Sequence, residues 1–136
     1  MADTLTFELV SPEKLILSKQ VALVTVPGGE GDYGVLPEHA PMITTVRPGV
    51  IETFAQQNGP ATDRIFVAGG FAEVTPAGCT VLADEATPVD QLDLLKIEDD
   101  VKAVAAKLAT ATGVERAALE LQQNLLSAKL AAALAA

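Results

Sequence analysis

Apolar and polar residues alternate along the N-terminal part of the chain. In an extended Thr4–Val10, Leu5, Phe7 and Leu9 face one way and Thr6 and Glu8 the other. The same period predicts strands over Val21–Val26, Met42–Val46, Val50–Phe54, Arg64–Ala68, Phe71–Thr75 and Cys79–Ala83. Turn-forming clusters separate them: Pro27-Gly28-Gly29, Arg47-Pro48-Gly49, Asn58-Gly59-Pro60, Gly69-Gly70 and Thr75-Pro76-Ala77-Gly78. Short strands at this spacing, with no helical stretch between them to form a βαβ crossover, predict an antiparallel sandwich or barrel.

Near Thr87-Pro88 the period changes. All eight prolines and nine of the ten glycines lie at or before this point, and Ala, Leu, Lys, Glu and Gln dominate after it. Leu94, Ile97, Val101, Val104 and Leu108 recur at helical spacing, with Glu98, Asp99 and Lys102 on the other side. Asp90 is the predicted N-cap of this helix. Thr110-Ala111-Thr112-Gly113 ends it, and Gly113 is suited to a left-handed turn. A second helix runs from about Val114 to near the C-terminus, antiparallel to the first. It carries two apolar stripes, Ala118, Leu121, Leu125, Ala128 and Leu119, Leu126, Leu130, Leu134. The first helix can cover one, which leaves the other for the β head or another protein. The expected organisation is a β head over residues 1–87 and a two-helix hairpin over 88–136.

Composition narrows the function. Nine Lys and Arg against 18 Asp and Glu give a formal net charge of −9, which repels nucleic acid and anionic lipid and points to protein partners. One cysteine, Cys79, cannot close an internal disulfide, and its strand context predicts a buried thiol. One Cys and one His, His39, exclude the usual zinc sets, and no metal site is expected. The opening residues lack the charged and apolar regions of a signal or transit peptide, and no apolar run reaches the ~18 residues of a membrane helix. Any tie to a membrane is expected to pass through a partner.

Three motifs invite chemistry. The glycine-rich run Val26–Pro37 leads toward strands and carries Glu30 and Asp32, which repel phosphate; a turn presenting Asp32 and Tyr33 to a protein fits it better. His39 adjoins Glu38 but has no nucleophile placed by the sequence, so a structural or interface role is expected over general-base catalysis. The run Glu98-Asp99-Asp100 lacks the alternating ligands and glycine of a calcium loop and reads as a solvated helix face.

Several stretches together resemble the epsilon subunit of bacterial F-type ATP synthases. They are Val26-Pro27-Gly28, Gly31 through Leu36-Pro37, His39-Ala40-Pro41-Met42-Ile43-Thr44, Pro48-Gly49-Val50-Ile51, Gly69-Gly70-Phe71-Ala72-Glu73-Val74 and Val81-Leu82-Ala83-Asp84. The resemblance covers essentially the whole chain. It implies a ten-stranded β-sandwich head on the central stalk of the proton-translocating motor, bound to the gamma subunit and the c-ring, with no catalytic residues of its own. It implies a peripheral position on the cytoplasmic face of a bacterial inner membrane. By this resemblance Glu30, Gly31, Asp32 and Tyr33 face the c-ring, and His39, Pro41 and Met42 face gamma. The hairpin of such subunits can reach the catalytic alpha and beta subunits and restrain hydrolysis. Helix two here carries two cations and two anions, Arg116 and Lys129 against Glu115 and Glu120, which implies weak inhibition or none.

Some family members bind ATP at the start of helix one through an aliphatic residue, Asp, two variable residues, Arg and Ala. This chain has Leu92-Asp93-Leu94-Leu95-Lys96-Ile97, so Lys96 and Ile97 replace Arg and Ala. Lysine lacks the bidentate fork of arginine, which speaks against nucleotide binding at Asp93 and Lys96, and no cofactor is expected. The alternative readings are a stand-alone protein-binding β-sandwich with a helical hairpin, and a small enzyme built on His39.

Overall fold

A computed structural model describes residues 3–135; Met1 and Ala2, at the start of the stretch read for a leader, and Ala136 lie outside them. The chain divides after Pro88 into two compact units.

The first unit holds ten strands: β1 (Leu5–Val10), β2 (Leu15–Val21), β3 (Leu23–Gly28), β4 (Gly31–Val35), β5 (Met42–Val46), β6 (Gly49–Phe54), β7 (Ala61–Val67), β8 (Gly70–Thr75), β9 (Gly78–Ala83) and β10 (Ala86–Pro88). They pair in the order β10-β7-β6-β3-β5-β8-β9-β1-β2, with β4 added on β3. The β3–β5 link is a single pairing, Gly28 with Val46, so the path folds there into two layers. The alternating residues of both layers meet between them. Leu5, Phe7, Leu9, Val74, Cys79 and Val81 come from one, and Val24, Val26, Val35, Ile51, Ile65 and Val67 from the other. Each such side chain contributes roughly 1.5–3 kcal/mol by leaving water.

Three strands escaped the sequence pattern. β2 interrupts its apolar residues with Ser18, Lys19 and Gln20; Gly31–Val35 is a strand that looked like a loop; and β10 lies where a helix onset was expected. The sheet is also not antiparallel throughout, although the strand spacing predicts that it is, because β1 pairs with β9 in parallel. Pro88 closes β10 and so belongs to the head.

The second unit opens with a 3-10 turn at Val89–Gln91, followed by α1 (Leu94–Leu108) and α2 (Gly113–Leu134). Asp90 lies inside the turn; the N-cap of α1 is Asp93, whose carboxylate accepts from the Lys96 N–H at 3.2 Å. Val104 of α1 packs with Ala111, Leu119 and Leu126, bordered by Val101 and Leu108. The stripe containing Leu119 and Leu126 is thus the one α1 covers, and Leu121 of the other stripe is exposed. Arg116 bridges the hairpin, donating to the Leu108 carbonyl at 3.1 Å and pairing with Glu120 at 3.1 Å.

Candidate functional site

The first candidate surface is the β3–β4 hairpin. Gly28 pairs with Gly31, leaving Gly29 and Glu30 as a two-residue turn, exposed together with Gly31 and Asp32. Tyr33 behaves differently from its neighbours. It stands opposite the buried Val26, its side chain packs on the core, and its hydroxyl meets Thr44 Oγ1 of the opposite layer at 2.5 Å. Burial pushes its phenol pKa up, against the opposing effect of the Thr44 bond. The ring lies on Gly28, where a Cβ would come within 2.8 Å of Tyr33 Cε1. Of the four residues read as one exposed turn, Glu30, Gly31 and Asp32 occupy the surface and Tyr33 anchors them to the core. The turn borders a cleft of about 510 Å³ completed by Ile43, Thr44 and Thr45.

The second surface is the outer face of the layer β5-β8-β9-β1-β2. Strand registers align Phe71 with Leu82, Leu82 with Val10, and Val10 with Leu15. Ile43 on β5 adjoins this row diagonally. Ile43, Phe71, Leu82 and Leu15 are 73%, 57%, 55% and 53% exposed, although each lies in a well-paired strand. The neighbouring row carries Glu73, Thr80 and Glu8, so carboxylates border the apolar band. Ile43, Phe71 and Leu82 rim a shallow depression of about 230 Å³. A contiguous apolar strip on an ordered sheet marks a protein-binding face. The sequence reading missed Phe71, Leu82, Val10 and Leu15 because each is an ordinary strand residue; only the registers align them.

The segment before β5 leads into this face. Glu38 adopts a positive φ of 65° and its N–H donates to Pro76 O at 3.0 Å. His39 Nδ1 lies 2.7 Å from Ala40 O, and its N–H donates to Leu36 O at 3.2 Å. Pro41 is exposed, whereas Met42 packs toward the core opposite Val74. Alternation therefore presents Ile43, and turns Met42 away.

At the hairpin, Asp93 is engaged as a helix cap and Lys96 is exposed. Cys79 is buried, which pushes its thiol to about 11. Among the described residues no cluster of three or more His, Cys, Asp or Glu is placed to hold a metal, and no helix is long and apolar enough to cross a membrane.

An ordered β head with an apolar outer strip and a separate helical hairpin define a protein-binding assembly subunit. Residues 4–89 match the model of the family described as ATP synthase, Delta/Epsilon chain, beta-sandwich domain. The ATP synthase epsilon chain of Rhodospirillum centenum is 52% identical over 134 residues, covering 96% of this chain and 92% of the relative. That of Rhodospirillum rubrum is 47% identical over 133 residues, covering 98% of each. The chain therefore belongs to the ATP synthase delta/epsilon family. Among solved structures, a chain of the Euglena gracilis mitochondrial ATP synthase, described as OSCP/F1/c-ring in rotational state 1, superposes with a TM-score of 0.85 at 25% identity, covering 97% of this chain and 82% of that one.

Proposed function

We propose that this protein is the epsilon-type rotor subunit of a proton-translocating ATP synthase. It forms part of the central stalk, joins the c-ring to the gamma subunit, and performs no bond-making step itself. Whole-length similarity to ATP synthase epsilon chains supports the assignment. The observation that carries the geometry is the apolar band Ile43–Phe71–Leu82–Val10–Leu15, which supplies a docking strip for gamma. His39 and Pro41 border that strip through β5, while Met42 supports it from within. The Glu30-Gly31-Asp32 turn, mounted on Tyr33, is the c-ring contact. One charge crossing 100 mV is worth ~2.3 kcal/mol, so both joints must hold against repeated loads of that size.

The protein belongs to the peripheral F1 sector, and its place is the cytoplasmic face of a bacterial inner membrane, reached only through its partners. The hairpin acts without nucleotide: Asp93 is spent on the α1 cap and Lys96 cannot offer an arginine fork. Isothermal titration with ATP should give no saturable heat; a saturable signal lost in Lys96→Ala would overturn this. The hairpin is a weak restraint on the alpha and beta subunits at most, since Arg116 is already bonded to Leu108 and Glu120.

Purification of the tagged chain from detergent-solubilised membranes tests the main assignment. The expected eluate contains gamma, the c-ring and ATPase activity. Elution as a free monomer or homodimer with no ATPase subunits would favour a stand-alone module instead.

A further inference from the structure

Beyond the Tyr33 anchor, the residues of the β3–β4 turn itself lend it little stiffness. Glycines occupy three of the four positions Gly28–Gly31, and Gly31 sits at φ 147°, so the backbone has wide conformational freedom. A turn that must meet a partner in one geometry loses affinity to the cost of ordering it, unless something orders it beforehand.

That support comes from the end of β5 and the β5–β6 connection. Arg47 Nη1 donates to the Gly28 carbonyl at 2.5 Å, and Nη2 of the same guanidinium pairs with the Asp32 carboxylate. The Arg47 N–H donates to Pro27 O at 2.9 Å, and the Gly29 N–H to Thr45 O at 2.9 Å. The two nitrogens of the fork thus grip both arms of the hairpin, at Gly28 immediately before the turn and at Asp32 two residues after it. Both side chains remain substantially exposed, at 43% for Arg47 and 72% for Asp32, so the pair adds little to global stability. Its effect is local. Asp32 gives one oxygen to Arg47, and its other oxygen and Glu30 remain available to a partner.

We infer that Arg47 is the positioning residue of this turn: its guanidinium pre-orders Gly28–Asp32 for the partner that binds there. The inference deepens the c-ring reading above and rests on it for the partner's identity. Lysine cannot replace arginine fully, because one ammonium does not reproduce the planar fork that reaches Gly28 O and Asp32 together.

The test uses the full-length chain carrying Arg47→Met or Arg47→Lys, with Asp32→Ala alongside. Amide hydrogen exchange at Gly29, Glu30 and Gly31 should accelerate at least fivefold in Arg47→Met and less in Arg47→Lys, on the order of a lost charge-assisted bond. Exchange in β1 and β9 should stay unchanged and the thermal midpoint should move by less than about 2 °C. Unaltered turn exchange in Arg47→Met would overturn the inference, whatever the assembly result. In reconstituted complexes, dissociation from the ring–gamma assembly should quicken by about fivefold in Arg47→Met, with partial rescue by Arg47→Lys. Faster turn exchange with unchanged dissociation, while Asp32→Ala dissociates faster, would also overturn it. Unchanged dissociation in both Arg47→Met and Asp32→Ala would instead sink the c-ring reading, leaving the exchange data to decide what Arg47 does to the turn.

Discussion

Lys19 Nζ lies 2.6 Å from Asp63 Oδ2 and ties β2 of one layer to β7 of the other. The same carboxylate oxygen accepts from Thr53 Oγ1 at 2.7 Å, and Thr53 is fully buried. Partial burial pushes the Asp63 pKa up, but hydrogen bonds from Lys19, Thr53 and Thr62 with the Lys19 charge outweigh it and hold the carboxyl below its ordinary 3.8. A depressed carboxyl contributes stability that is present above the unfolded pKa and lost as pH falls through the folded one. Lys19→Met should cost about 1 kcal/mol at neutral pH. The gap to wild type should close on acidification below 3.8, as urea melts across pH can show. A gap independent of pH would place the Lys19 contribution in packing instead.

Tyr33 and Asp32 are adjacent yet should respond in opposite ways. Tyr33→Phe removes the cross-layer bond to Thr44 and should cost roughly 0.5–1.5 kcal/mol of stability. Asp32→Ala, on an exposed strand start, should stay within ~0.5 kcal/mol while weakening attachment to the ring. Thermal melts paired with a ring-retention assay separate the two effects.

The apolar band should matter to assembly more than to folding. Phe71→Glu places a charge at one end of the Phe71–Leu82–Val10 row, where the Phe71 and Leu82 side chains already face solvent. Stability should change by less than about 1 kcal/mol. Binding to purified gamma, followed by gel filtration, should drop by tenfold or more, which corresponds to ~1.4 kcal/mol. Unimpaired gamma binding would remove this face from the interface.

Gly113 has φ 63° at the start of α2, with no atom within 4 Å of where a Cβ would stand. The constraint is therefore backbone conformation and not space. Gly113→Val should destabilise the hairpin by about 1–2 kcal/mol, and Gly113→Asn by less. Limited proteolysis should cut the helices sooner and spare the head; simultaneous loss of both would mean that the two units unfold cooperatively.

Removal of residues 89–136 from the assembled motor should leave the rate of ATP hydrolysis within tenfold of wild type, a difference below ~1.4 kcal/mol in barrier. α2 carries two cations and two anions, a net charge of zero, and Arg116 is held within the hairpin. A larger rise in hydrolysis would show that the hairpin is a strong brake.

Composition determined the strand-to-helix switch near Pro88, and periodicity the α1 seam and the buried side of β1, because residue propensity and two-residue and 3.6-residue repeats are local properties. The glycine-rich run Val26–Pro37 marked Asp32 and Tyr33 as a turn facing a protein, and only the family resemblance added Glu30 and Gly31. The sequence did not reveal β4, since pairing with β3, not side-chain alternation, makes Gly31–Val35 a strand. It placed the cap of α1 at Asp90, but a 3-10 turn delays the helix by one turn and hands that role to Asp93. Only the tertiary structure decided that Tyr33 is an anchor, that Arg47 braces the turn, and that Val10, Leu15, Leu82 and Phe71 form one strip. Those relationships join residues up to some seventy positions apart, and strand register, which no local pattern encodes, brings them side by side.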